Sequence, residues 1–125
     1  MKAIVLLLTS LFAAQLMAHS NDVSAQLISA FQNGNSSDIA NKFASTVYVA
    51  LPNVTGSKSK EEAKTALEQF FKQNAPSAAS LVHQVLGTNK SLYIISLQTK
   101  TKTYRVSVSM TTVNSVSSIS DLKIE

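Results

Sequence analysis

The stretch SLYIISLQTKTKTYRVSVSMTT, residues 91–112, carries apolar side chains at every second position in both of its halves. That spacing is the period of a β-strand with one buried face. The stretch therefore predicts two long antiparallel strands joined by a tight reversal. The apolar positions are Tyr93, Ile95 and Leu97 in the first strand, and Tyr104, Val106, Val108 and Met110 in the second.

The hydrophobic pattern also limits how these two strands pair. Pairing Thr99 with Tyr104 places apolar residues opposite one another along the hairpin, whereas a slip of one residue places polar residues opposite apolar ones. The loop is therefore even in length, with residues 101–102 or residues 100–103 at its tip. Because these residues include no Gly, Asn or Asp for a two-residue primed turn, we predict the four-residue loop on a type I turn.

The first twenty residues predict a secretory signal peptide. A positive charge at Lys2 precedes an apolar run of about a dozen residues, which is shorter than the roughly 20 that span a bilayer. Cleavage after Ala18 or after Ser20 fits the small residues there. The alternative, a buried N-terminal helix, would lack a polar side for water. We expect residues 1–20 to be removed and residues 21–125 to form one domain, periplasmic or extracellular and free of the membrane.

Composition argues against several classes of protein. The chain has no cysteine, which excludes a disulfide and a lipidated cysteine anchor. The formal net charge of +4 falls to +3 when Lys2 is removed. A nucleic-acid-binding domain would gather its basic residues on one face, whereas here they are dispersed, so we expect no nucleic-acid partner. The dispersed basic residues include Lys58, Lys60, Lys64, Lys100, Lys102 and Arg105.

Two helices are predicted at the start of the mature chain. Residues 22–33 carry an apolar stripe at helical spacing, and Gly34 is the expected left-handed stop. A second, shorter helix is predicted over residues 37–45, with Ile39 and Phe43 one turn apart.

A strand over residues 46–51 follows, and Pro52 ends it before a turn or very short strand at 54–56. Ser59 and Glu62 then form the capping-box pattern of a helix that runs to about residue 73. Its core-facing residues are Ala63, Ala66, Leu67, Phe70 and Phe71.

The rest of the chain predicts strands only. One strand covers residues 81–86, the hairpin follows, and a last strand covers residues 117–125 with a bulge near Ser120, because its apolar residues break strict alternation. Helices on one face of a curved, mainly antiparallel sheet make an α+β domain.

Several short motifs carry a family resemblance. They are Gly34-Asn35 with Phe43 beyond it, Ser59 through Phe71, His83, Tyr93–Leu97, Thr103–Val106 and Leu122–Glu125. The order of elements resembles the cone-shaped fold of the nuclear transport factor 2-like superfamily, also grouped with cystatin-like folds. More narrowly, the chain is similar to a family of small exported bacterial proteins of unknown function. The resemblance spans the mature chain and implies the cone fold, but it implies no established activity.

The sequence favours binding over catalysis. Enzymes of this superfamily place an acid or a base in an apolar cone, where burial shifts its pKa toward the working range. The acidic residues here stand at helix starts, at the chain end or on outward positions, so we assign no catalytic residue and no cofactor. We expect an exported domain that binds a small ligand or a protein partner. The alternative is an enzyme whose cone uses His83 or a tyrosine as acid or base.

His83 has two predicted placements. An even loop at residues 87–90 pairs it with Ser96 on the face away from the core, and an odd loop pairs it with Ile95 inside. A single histidine supplies too few ligands for zinc, so we expect no metal site. The candidate ligand-binding residues are Tyr48, His83, Tyr93 and Tyr104, since each tyrosine offers an apolar ring with one polar tip.

The outer face of the hairpin is polar except at Leu92 and Ile94, and Val85 joins them under the even-loop pairing. An apolar patch on a polar sheet face usually contacts another surface. These three residues therefore predict a homodimer or partner contact through the outer face.

Overall fold

Three helices and six strands follow one another along residues 22–125, the part of the chain that the computed structural model describes. The predicted signal peptide, residues 1–20, lies outside the described residues. No described helix is long and apolar enough to cross a membrane. The elements are α1 (Val23–Gln32), α2 (Ser36–Ala40), β1 (Phe43–Leu51), β2 (Val54–Ser59), α3 (Lys60–Gln73), β3 (Pro76–Leu86), β4 (Lys90–Thr99), β5 (Thr103–Val113) and β6 (Val116–Ile124).

The strands form one sheet in the order β2-β1-β6-β5-β4-β3. Neighbouring strands are antiparallel except β1 and β6, which are parallel. The helices pack on one face of this sheet, and the other face, called the outer face below, has no covering layer among the described residues. The predicted α+β architecture is confirmed.

The central hairpin has the predicted faces but a different register. Leu97 lies opposite Tyr104, two residues from the predicted pairing of Thr99 with Tyr104. The tip is therefore Lys100–Thr101, flanked by Thr99 and Lys102, and not residues 100–103. The Thr99 hydroxyl explains this position, since it donates to the Lys102 carbonyl at 2.7 Å and accepts the Lys102 amide at 3.1 Å. The prediction of an even loop is confirmed.

The first helix is confirmed, while the second is shorter than predicted. Gly34 follows α1 with φ of +61°, the left-handed conformation that the sequence indicated. α2 ends at Ala40, and Phe43 is the first residue of β1 instead of the last turn of a helix. Both arrangements bury Ile39 and Phe43 on the same side, so the apolar spacing could not distinguish them.

The third helix matches its prediction. The Ser59 amide donates to Glu62 Oε1 at 3.0 Å, and the Ser59 hydroxyl accepts the Glu62 amide at 3.2 Å, which completes the capping box. Ahead of it, the segment predicted as a turn or a very short strand at 54–56 is a strand, and it continues to Ser59. All five predicted core positions of α3 are buried.

The bulge near Ser120 is also present. Ser109 pairs with Asp121 and Met110 pairs with Ile119, so Ser120 is the extra residue on β6. Its hydroxyl lies 2.9 Å from the Thr111 hydroxyl. The bulge reverses the alternation of β6 and lets Ile119 and Leu122 face the same core.

Candidate functional site on the outer face

The concave side of the sheet is filled by aromatic side chains. Phe70 contacts Phe71 with ring centroids 5.7 Å apart and Tyr104 with centroids 5.1 Å apart, both edge to face. Phe31 meets Phe71 in the same way at 6.2 Å. These rings and Phe43 are all buried in one hydrophobic cluster. An acid/base site inside the cone would need space that these side chains occupy.

The Tyr104 hydroxyl forms a hydrogen bond inside the domain. The hydroxyl donates to Asn74 Oδ1 at 3.0 Å, and Asn74 Nδ2 donates to the Phe70 carbonyl at 3.1 Å. Asn74 is buried and ends α3, so this pair satisfies the carbonyl of the last helical turn. The contact holds the end of α3 against β5, so the role of the Tyr104 hydroxyl is structural.

The other candidate tyrosines lie on opposite sides of the sheet. Tyr93 is buried in the core, where loss of solvent raises the pKa of its hydroxyl, with a smaller effect from the nearby Asp22 carboxylate. Tyr48 stands on the outer face opposite Asp121 and is 45% exposed. The structure therefore does not bring the predicted ligand-binding residues together in one pocket.

His83 lies on the outer face, as an even loop predicts. The loop of residues 87–90 joins Leu86 to Ser91, but His83 pairs with Ile94 and with neither Ser96 nor Ile95. The register of β3 shifts between Leu81 and His83, which leaves Val82 as an extra residue. His83 is exposed, so it lies outside any enclosed pocket, and the hypothesis of a cone base at His83 has no geometric support.

Exposed apolar side chains are concentrated on the outer face. Six large hydrophobic side chains are exposed in the described part of the chain. Five of them lie on the outer face, as shown by the residues they pair with in neighbouring strands and by the outer-face depressions that they line. Leu86 is the exception, because it pairs with Ser91 on the opposite side. The five outer-face residues are Tyr48, Val82, Val85, Val113 and Val116.

The residues predicted to form a partner contact, Val85, Leu92 and Ile94, lie next to one another on β3 and β4. Val85 lies opposite Leu92, and His83 lies opposite Ile94. Ile94 is only 6% exposed, because its neighbours already cover it, and Leu92 is half-buried. The exposed part of this apolar strip is therefore supplied mainly by β3. The strip consists of Val82, Val85, Leu92 and Ile94.

The charged groups of the outer face include both signs. Asp121 and Lys123 occupy adjacent outer positions on β6, and Lys123 pairs with Glu125 at 3.4 Å. Arg105 on β5 is exposed beside Glu125, with which it exchanges both backbone hydrogen bonds. Most lysines stand elsewhere, on β2, on α3 and in the hairpin loop. The middle of the face is formed mainly by serine and threonine.

Two shallow depressions mark the outer face. One, of about 280 Å³, lies beside the apolar strip and contacts Val82, Ile94 and Arg105. The other, of about 320 Å³, lies at the tip of the β5–β6 hairpin between Val113 and Val116. Within residues 22–125, no three His, Cys, Asp or Glu side chains gather as metal ligands would.

Comparisons with known proteins give a family and a fold. The family model described as "Domain of unknown function (DUF4783)" matches residues 24–125. Among curated proteins, none matches the chain. The crystal structure of a DUF4783 family protein from Bacteroides ovatus is 24% identical, with a TM-score of 0.77 over 84% of this chain and 96% of that one.

Structural similarity extends beyond the family. A domain of unknown function with a cystatin-like fold from Nostoc punctiforme is 15% identical, with a TM-score of 0.64 over 80% of this chain and 70% of that one. An NTF2-like design is 12% identical, with a TM-score of 0.63 over 82% and 93%. At these identities the likeness concerns the fold alone, and it confirms the predicted cone.

Proposed function

We propose that this chain, which belongs to the DUF4783 family of domains of unknown function, is an exported, non-enzymatic binding domain that pairs with a second copy of itself through the outer face. The observation that carries the proposal is the location of the exposed hydrophobic side chains. Five of the six in residues 22–125 lie on one face of one sheet. Scattered exposed apolar residues need no explanation, but a common face indicates a contact surface.

The size of the face suits a stable dimer. Six strands about 4.8 Å apart span roughly 24 Å, and the eight steps from Arg105 to Val113 span about 27 Å, so the face projects roughly 650 Å². Its accessible area is larger, because side chains rise above the sheet. A standard interface buries about 800 Å² on each partner. A dimer of standard size therefore requires nearly the whole outer face to be buried.

The charges on the face also suit a second copy. In a two-fold contact the same surface meets itself, so each residue must face a compatible residue of the other copy. Asp121 and Lys123 are two positions apart on β6 and carry opposite charges. A two-fold arrangement that sets Asp121 of one copy near Lys123 of the other gives two ion pairs. A face of one sign would repel its copy.

The edge of the sheet is a less suitable contact than its face. β3 is an edge strand, and an open edge can pair with another chain. However, the bulge at Val82 interrupts its regular backbone, and Gln32 accepts a hydrogen bond from the Ala79 amide of the same strand. Bulges and coverings of this kind oppose edge pairing. The proposal therefore places the contact on the outer face of the sheet and not on its edge.

The molecular mass at micromolar concentration tests the proposal. Light scattering after size exclusion should give the mass of two chains for the purified protein. Val85→Lys should shift it toward one chain. Val85 is 53% exposed, so burying the rest of its side chain contributes about 1 kcal/mol per copy, or about 2 kcal/mol and thirtyfold in Kd per dimer.

Leu86→Lys is the matched control. Leu86 is the next residue, is 65% exposed and faces the other side, so its replacement should leave the dimer intact. Ile94→Lys is less informative, because Ile94 is buried within the monomer and its loss would disturb the fold. A wild-type protein that stays monomeric, or equal effects of both β3 variants, would remove the proposal.

The export part of the proposal rests on the apolar run in residues 1–20. The intact mass of the protein isolated from its own host should correspond to a chain that begins at His19 or Asn21. A chain that retains Met1 and remains inside the cell would contradict export while leaving the dimer proposal unaffected.

A further inference from the structure

A slot opens at one end of the sheet, where β6 stops. It lies between the turn after β1 and the loop before β5, and it offers about 410 Å³. The slot is as open to solvent as the two depressions on the outer face, so a ligand would lie against its floor with one side in water. The lining residues are Ala50, Leu51, Pro52, Lys102, Tyr104, Lys123, Ile124 and Glu125.

The floor of the slot is apolar. Leu51, Tyr104 and Ile124 are core residues whose outermost atoms reach the slot. The Tyr104 hydroxyl already donates to Asn74 at 3.0 Å, so what Tyr104 offers to a ligand is its ring. A floor of this kind accommodates a hydrocarbon chain or an aromatic ring.

The rim of the slot carries a cation without a carboxylate partner. Lys102 Nζ lies 4.8 Å from the centre of the Tyr104 ring, which is a cation–π contact. Among residues 22–125, the ion pair that forms is between Lys123 and Glu125, at 3.4 Å. An anion at this rim would find the Lys102 ammonium above an apolar floor.

We infer that this slot binds a small organic anion with an apolar body, such as a medium-chain monocarboxylate. The hydrocarbon part lies on Leu51, Tyr104 and Ile124, and the carboxylate accepts hydrogen bonds from Lys102. This site goes beyond the proposed function, because it lies at the end of the sheet and not on the apolar strip of β3 and β4. The slot lies at the margin of the outer face, with which it shares Lys123 and Glu125.

Titration of the ¹⁵N-labelled protein with octanoate tests the site. Amide shifts should move at Leu51, Tyr104 and Ile124, with no comparable change at Val85. Octanamide, which keeps the chain but lacks the charge, should bind more weakly. Octanamide binding as tight as octanoate binding would overturn the inference, as would octanoate shifts elsewhere on the domain or none at millimolar concentration.

Three substitutions test which charged side chains affect octanoate binding. Lys102→Gln should weaken octanoate binding about fivefold, the effect of one partly exposed ion pair. Glu125→Gln should strengthen it, since it removes the carboxylate that competes for the rim cations. Lys100→Gln is the control, because Lys100 is exposed in the same loop but does not line the slot, and it should change nothing. Equal effects of the Lys102 and Lys100 variants would refute a directed contact. The Val85→Lys variant should still bind octanoate, so the slot and the dimer fail independently.

Discussion

Phe70→Ala is expected to destabilise the domain more than any surface change. Phe70 is 1% exposed and packs edge to face on Phe71 and Tyr104. Truncating a buried phenylalanine costs about 3–5 kcal/mol through lost burial and the cavity left behind. We expect a loss of about 4 kcal/mol, a large share of the 5–15 kcal/mol typical of a single domain.

Urea unfolding followed by circular dichroism measures this loss. The midpoint should fall while the slope with urea stays the same, since the unfolded chain is unchanged. Wild type and variant must be compared at one low protein concentration, because dimer formation adds to the apparent stability. Phe70→Ala should also open a dry apolar cavity, so benzene should stabilise the variant and leave the wild type unaffected.

Tyr48→Ala is the control for Phe70→Ala. Tyr48→Ala removes an aromatic ring that is 45% exposed and should cost the monomer about 1–2 kcal/mol, less than Phe70→Ala. A loss below about 1 kcal/mol for Phe70→Ala would show that the cone is not packed around Phe70. An open pocket, and with it the acid/base hypothesis, would then need to be considered again.

Four further substitutions test local parts of the structure. Tyr104→Phe leaves the Asn74 side-chain oxygen without its donor and should cost about 1–2 kcal/mol in urea unfolding. Gly34→Ala puts a side chain at φ of +61° and should cost about 1–2 kcal/mol, measured the same way. Ser59→Ala removes the cap of α3 and should cost about 1 kcal/mol. The amide of Ser59, and secondarily its hydroxyl, holds the pKa of Glu62 below its usual value. The ionised Glu62 carboxylate therefore stabilises the fold above about pH 4.3, and this stabilisation is lost as the pH falls through the lower folded pKa. Glu62→Gln removes the titrating group, so it should flatten the acid side of a plot of stability against pH.

Local signals in the sequence predicted most of the fold. Alternation along residues 91–112 assigned the two faces of the hairpin, and the capping box marked the start of α3 at Ser59. Gly34 ended α1 where a left-handed residue was expected. Each of these signals depends on a few neighbouring residues, which is why it can be read without knowledge of the tertiary structure.

Register could not be predicted, for a physical reason. A shift of two residues keeps every side chain on its own face, so the hydrophobic pattern cannot distinguish such registers. The Thr99 hydroxyl and its bonds to the Lys102 backbone fix the reversal, and no apolar pattern reports on them. His83 was uncertain for a different reason. The sequence left the loop of residues 87–90 even or odd, and the bulge at Val82 further alters the pairing of β3.

The outer face was only partly visible in the sequence. Leu92 and Ile94 interrupted a polar alternation, but Ile94 is covered within the monomer. Val82 was missed because its position depends on the bulge. Val113 and Val116 were missed because they flank a turn, where an apolar residue carries no alternation signal. A pair of hydrophobic residues beside a short turn could have indicated them.

Contacts between copies locate the interface most directly. In a sample that mixes labelled and unlabelled chains, isotope-filtered NOEs report only methyl groups close to the other copy. The proposal predicts such NOEs at Val82, Val85 and Leu92, on the outer face. Their absence at concentrations where the mass is dimeric, or their appearance only on α1 and α3, would contradict it.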